Sequence, residues 1–197
     1  MKPYRPNSKL FFGIIVFVTI SEIAVLDSVF GISPNSLLLK SGTIISLNGL
    51  LWLIFERVAW KWPVSRMMGL SHVPDLSGEW VGDLVRSGEV EKHSFSLRIT
   101  QTFSMIYVSS QSTNSRSESI SAQIVTDELK NRFKIINHWQ SRTRAKQVGY
   151  MDDFVGLSTI DVSFENGEIT LSDYYFTNRK PTSTEGVIKL RRKRAAQ

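Results

Sequence analysis

The sequence predicts two transmembrane α-helices followed by an all-β domain, a small, roughly eight-stranded antiparallel up-and-down β-barrel. Three observations carry this. Two apolar runs of bilayer-spanning length stand near the amino terminus. From Asp75 on the helical period disappears, and short alternating segments recur at a spacing of about 10–12 residues. Asn166-Gly167 separates two such segments as a two-residue hairpin signal.

The first apolar run, LFFGIIVFVTI, continues past Ser21 and Glu22, so the first span is read at about 10–30. The second, LLLKSGTIISLNGLLWLIF, is read at about 37–55 and carries Lys40 and Asn48. Gly31, Ser33, Pro34 and Asn35 form the turn between them. A signal peptide is disfavoured, because no small-x-small cleavage site follows and a second apolar run comes at once. Trp52, Trp60 and Trp62 cluster where an interfacial aromatic belt is expected. Residues 1–62 are thus read as a helical hairpin, 63–74 as a short linker, and 75–197 as a β-domain.

Lys2, Arg5 and Lys9 precede the first span, and Arg57, Lys61 and Arg66 follow the second, while the turn has no cation. By the positive-inside rule both termini face the cytoplasm. Glu22 and Asn48 are the polar residues inside the spans. Lys40 is expected near Asp27, and Glu22 opposite Thr43 and Ser46 with no cation to meet it. Two states are open for Glu22: protonated or hydrogen-bonded to a helix of a neighbouring copy, or wet in a short, tilted span.

Strands are expected near 77–87, 91–101, 103–111, 115–126, 131–140, 155–164, 168–177 and 185–193, with an irregular segment from Ser141 to Asp153. Eight strands without a covering helix favour closure, because closure removes sheet edges. In SGEWVG, alternation puts Gly78, Trp80 and Gly82 on one face, small-large-small, as a tapering barrel end requires. The G-x-W opening resembles that of lipocalin-like barrels, with room for side chains or one small ligand.

The totals limit the functions. With 197 residues the chain holds one ordinary domain plus a membrane segment. Lys and Arg number 24 against 18 Asp and Glu, a net charge of +6. That favours anionic partners without demanding long nucleic acids. There is no cysteine, which excludes disulfides and thiolate chemistry, and His72, His93 and His138 lack metal-ligand spacing. No metal or cofactor is expected, and no arrangement of catalytic groups marks an enzyme.

Two amino-terminal spans, a linker ending in PDLSGEW, and a strand-rich domain closing with YFTNRK and EGVIKLRR resemble the two-transmembrane β-barrel effectors of bacterial CBASS anti-phage defence. These are CD-NTase-associated, STING-like β-barrel receptors for cyclic oligonucleotides. The resemblance implies that a partner CD-NTase supplies a cyclic di- or oligonucleotide. The barrel binds it, the chain forms a homo-oligomer, and the lipid bilayer of the inner membrane is disrupted, killing the infected cell. Tyr175, Phe176, Thr177, Asn178, Arg179 and Gly186 match the family's carboxy-terminal strand pair. Members often carry a Tyr or Asn with a Pro before the irregular segment; here the residues are Asn137, His138, Trp139 and Gln140, without proline.

Such a ligand needs cations for its phosphates and aromatic faces for its bases. Alternation places Tyr175, Thr177 and Arg179 on one face of their strand. Asn137 and Trp139 share a face near a strand end. Tyr107 and Arg191 complete the candidate ligand-binding set. Each has a plainer structural reading: a strand tyrosine facing the core, a threonine beside its cross-strand neighbour, an arginine capping an open end or pairing with Asp173, a basic tail on the anionic leaflet. A lipocalin-like carrier of an apolar ligand and a ligand-free scaffold are the alternatives.

Overall fold

The structure is a computed structural model. It describes residues 2–3, 8–30, 34–112, 115–127, 132–143, 153–165, 167–178 and 184–193, with the side chains of the two long helices described over 13–29 and 41–57. The chain divides into two compact units. One gathers Met1–Tyr4, Asp75–Gln101 and Met105–Gln197; the other gathers Arg5–Pro74 with Thr102–Ser104.

The helical unit holds α1, Ser8–Phe30, and α2, Pro34–Arg57. Pro34 opens α2, where the absence of a backbone N–H costs nothing. Among the described residues, no helix is long and apolar enough to cross a membrane. The described large side chains nevertheless point outward: Phe17 is 72% exposed and Ile45 73%. Glu22 does not face Thr43 and Ser46 without a partner. Asn48 Nδ2 donates to Glu22 Oε2 at 2.8 Å and to the Ile44 carbonyl at 3.0 Å. A one-turn shift of the facing helix separates expectation from structure. The side chain of Lys40 lies outside the described residues, so its pairing with Asp27 does too.

A 3-10 turn, Ala59–Lys61, and a short helix α3, Pro63–Met67, follow. The stretch expected as a linker is therefore folded, and Ser65, Leu70, Ser71 and Val73 are buried in it. Trp52 and Trp62 are exposed, but Trp60 is 1% exposed and belongs to the packing rather than to an interfacial belt. The Glu56 carboxylate accepts from Thr102 Oγ1 at 2.5 Å and Ser104 Oγ at 2.6 Å. Phe103 packs edge-on to Phe55 at 4.8 Å. These contacts explain why the segment 102–104 joins this unit and why the next strand starts later than the sequence suggests.

The other unit is a closed antiparallel barrel. Its strands are β2 Gly78–Arg86, β3 His93–Gln101, β4 Ile106–Ser112, β5 Ser115–Asp127, β6 Arg132–Thr143, β7 Asp153–Glu165, β8 Glu168–Thr177 and β9 Glu185–Arg192. Each pairs with its neighbours in sequence, β2 pairs with β9, and β5 with β6, so the meander has no free edge within β2–β9. A two-residue strand β1, Lys2–Pro3, adds to β5 opposite Thr126 and Val125, which the sequence did not suggest. The β7–β8 hairpin closes at Glu165 and Glu168, and Gly167 supplies the positive φ of 79° that the tight turn requires.

Inward positions alternate with outward ones on every strand. At the end where the chain enters, they are large and apolar: Trp80, Ile99, Ile135, Ile160, Leu171 and Leu190 are at most 2% exposed. Trp80 plugs this end. Its Nε1 donates to the Leu76 carbonyl at 3.0 Å, and the Arg192 guanidinium lies 5.0 Å from its ring centroid. Leu76 N–H in turn donates to Gln101 Oε1 at 2.8 Å. A plug of this size contributes about 3–5 kcal/mol relative to alanine.

Gly82 lets β9 approach β2: a Cβ there would overlap the Lys189 carbonyl. Gly82→Ala is expected to cost at least about 1–3 kcal/mol through that overpacking and to lower the barrel's melting temperature by circular dichroism. Val81→Ala, on the outward side, should leave it nearly unchanged.

Candidate functional site

Away from the Trp80 end, the inward residues change character. Ser110 and Ser112 on β4, Ser117 on β5, Ser141 on β6 and Ser158 on β7 stand where the other end has leucine and isoleucine. Small hydroxyl side chains cannot fill the interior, so a cavity opens toward the barrel end at which β2 closes with Arg86, β4 with Ser112 and β8 with Thr177. The space between its walls is about 990 Å³, open solvent at the mouth included. Each of the barrel strands contributes to the lining.

Trp139 forms an aromatic wall. Its cross-strand partner is Gly156, and a Cβ on Gly156 would overlap the indole. The glycine therefore lets the ring lie against the β7 backbone. Phe154 supports it edge-on, with centroids 6.0 Å apart and planes at 75°. Tyr175 is seated in the same way against Gly186, where a Cβ would overlap its ring. Burial raises the Tyr175 phenol above its usual range, and a hydrogen bond from Arg86 opposes this.

Asn137 is 4% exposed and is held by Ser119. The Ser119 hydroxyl accepts from the Val108 N–H at 2.9 Å and lies 2.8 Å from Asn137 Oδ1. A register shift in β5 between Ser119 and Ser121 brings that side chain in to replace a ladder bond. Thr177 meets Thr184 hydroxyl to hydroxyl at 2.8 Å, and its backbone N–H donates to the Thr184 carbonyl at 2.9 Å. It pins together the two ends of the 179–183 connection.

Asp173 is the least expected lining residue. It is 4% exposed, and Oδ1 has no hydrogen-bond partner among the described residues. Burial raises its pKa from 3.8 to about 7, and a hydrogen bond from Ser158 only partly opposes that. At the mouth, Arg86 and His93 share Glu89: Arg86 Nη1 lies 3.5 Å from Oε1 and His93 Nε2 3.0 Å from Oε2. His93 holds the exposed Glu89 carboxyl below its usual range.

Of the residues selected from the sequence, Asn137, Trp139, Tyr175 and Thr177 come together in this cavity. Arg179 lies outside the described residues. Tyr107 and Arg191 do not join the set. Alternation gives the inward places to Val108 and Leu190, which leaves Tyr107 41% exposed beside Glu118 and Arg191 on the outer face. Asp173, Ser158, Arg86 and His93 were not selected. The signal for Asp173 was present: it shares the face of Leu171, Tyr175 and Thr177 by strict period-2 spacing.

The sequence model of a family described as "Cap15, cyclic dinucleotide receptor domain" matches residues 71–192. The chain belongs to the Cap15 family. It carries the cyclic dinucleotide receptor domain of a CBASS effector. No curated protein matches the chain. The span matched to Cap15 begins just before Leu76, beside the plug, and ends with β9, so it takes in every strand that lines the cavity. Among the described residues, no group of three His, Asp or Glu side chains is placed to hold a metal ion.

A raised carboxyl pKa fixes a sign for stability. The folded barrel keeps the Asp173 proton up to about pH 7, whereas the unfolded chain releases it near 3.8. Stability therefore falls as pH rises through that window, by about 4 kcal/mol in all. Asp173→Asn should remove this loss. Its melting temperature is expected to exceed that of the wild type at pH 8 and to approach it at pH 4.

Proposed function

We propose that this protein is a membrane-anchored, cyclic-nucleotide-gated effector of anti-phage defence. The observation that carries the reading is the cavity itself: a hydroxyl-lined, aromatic-walled space at one end of a barrel from a receptor family. Trp139 offers a face for a base to stack on, a contact worth about 1–3 kcal/mol per base. Asn137 and Tyr175 offer hydrogen bonds to base or sugar edges. Arg86 and Arg179 meet the phosphates, and the Thr177–Thr184 clasp holds the ends of the segment that carries Arg179.

The ligand is bound rather than turned over, and a partner CD-NTase is its source. Occupancy favours association of copies. The helical hairpins, clustered by the barrels, then disrupt the inner membrane, with both termini on the cytoplasmic side. The outward-facing apolar side chains of α1 and α2 support membrane insertion, since exposed apolar surface of this extent needs a cover. The cations flanking the hairpin support its orientation. Glu22 Oε1, which has no partner among the described residues, supports contact between hairpins. The polar lining weighs against a carrier of apolar ligands.

Titrating cyclic di- and trinucleotides into the full chain in detergent tests this reading. A selective rise in melting temperature with a shift to faster sedimentation is expected, and the ligand should be recovered intact. No response to any probe from folded protein would turn the cavity into plain barrel interior. Trp139→Ala should weaken binding by about 5- to 150-fold while the fold persists. In cells, Glu22→Gln combined with Asn48→Leu should reduce killing without changing ligand affinity; undiminished killing would remove the polar helix contact from the mechanism.

A further inference from the structure

Asp173 is hard to reconcile with an anionic ligand if it stays charged. A cyclic dinucleotide brings two phosphate charges into a low-dielectric cavity, and a buried carboxylate there repels them. Its cross-strand neighbours carry no positive charge. Asp173 is flanked in register by Ile160 on β7 and Ile188 on β9. On its own strand the next inward group is the phenol of Tyr175, to which Arg86 donates, and Arg86 and His93, which also line the cavity, both lie against Glu89. Ser158 donates to the carboxyl, and Oδ1 is left without a partner among the described residues.

We propose that Asp173 meets the ligand as a neutral acid, its free oxygen and its proton reading the donor–acceptor edge of one nucleobase. This rests on the cyclic dinucleotide reading above. A carboxylic acid presents a donor beside an acceptor, complementary to the N–H/C=O edge of guanine or uracil and to the amino/ring-nitrogen edge of adenine or cytosine. A neutral group in this place adds no repulsion and fills its own hydrogen-bond deficit. Oδ1, closed off from solvent and without a partner among the described residues, is the deficit that ligand binding relieves.

The consequence is proton-linked binding. The free protein holds the Asp173 proton below about pH 7 and releases it above. The liganded protein keeps it to higher pH. Affinity is therefore full below pH 7 and falls by up to about tenfold per pH unit above it. His93 also lines the cavity, so its contribution must be separated.

Isothermal titration of the full chain in detergent with cyclic di-AMP, cyclic di-GMP, cyclic GMP–AMP and cyclic di-UMP, from pH 6 to 8.5, tests the proposal. The wild type is expected to lose affinity above pH 7 for its best probe, and His93→Gln to keep that slope. Asp173→Asn, whose amide offers a donor and an acceptor at every pH, should flatten the slope and bind at pH 8.5 as well as the wild type does at pH 6. Asp173→Leu should lose about tenfold or more throughout. Wild-type affinity independent of pH, or an Asp173→Asn variant that keeps the slope or binds as poorly as Asp173→Leu, overturns this proposal alone. Silence of the folded wild type toward all four probes overturns it together with the receptor reading.

Discussion

Closure of the sheet is the constraint from which the rest follows. Once β5 pairs with β6 and β2 with β9, every second residue must point into one shared interior. The side chains there can no longer be chosen strand by strand; their volumes must sum to fill the space or leave it open. Toward Trp80 the sum is full. Toward Thr177 and Thr184 it is not, because serines occupy the inward places. One alternation rule thus yields a packed core and an open cavity in the same barrel. The strand pairing that secures the core also holds the cavity walls at fixed separation.

Glycines decide where the aromatic walls stand. At Gly156 the place a Cβ would take is filled by the ring of Trp139, and at Gly186 by the Val85 carbonyl and the ring of Tyr175. Both glycines lie on strands adjacent to the aromatic they receive, paired in register with it. The rings are held by backbone on one side and by neighbouring side chains on the other, so little rotamer freedom is lost when a ligand arrives. Asp173 shows the opposite economy. Its burial works against folding near neutral pH, and no contact among the described residues offsets that at Oδ1. A group that weakens the fold where it sits and faces a cavity is what a binding site, rather than a core, retains.

Much of the barrel was legible in the sequence because strand periodicity is short and strict. The eight segments read from alternation correspond to β2–β9, and Asn166-Gly167 marked its hairpin. The same rule brought Asn137 and Trp139 together, and Tyr175 with Thr177. It failed where a residue's type was weighed above its phase: Tyr107 and Arg191 carry suitable chemistry on the outer face, while Asp173 has the inward phase and entered only as one alternative partner for Arg179. Features that depend on contacts distant in sequence were not legible. Nothing local announces that Lys2–Pro3 pairs with β5, that Glu56 draws in Thr102–Ser104, or that Ser119 replaces a ladder bond at a bulge.

If the hairpins associate as proposed, the Glu22–Asn48 pair bears on how strongly they do so. In apolar surroundings a carboxyl and an amide without partners would drive helices together strongly at all times. Here the amide is already committed within the hairpin, to Glu22 Oε2 and to the Ile44 carbonyl, and only Glu22 Oε1 is left over. The polar drive for contact between copies is thereby reduced to a remainder, worth about a kilocalorie per mole or less by comparison with interhelical hydrogen bonds in membranes. A remainder of that size does not hold dilute chains together. It becomes sufficient when another part of the molecule raises the local concentration of hairpins to the millimolar range. A hairpin that satisfied neither group would associate without a signal, and one that satisfied both completely would lack the contact when the signal came. On the proposed reading, partial satisfaction inside one chain is the condition under which assembly would depend on the barrel.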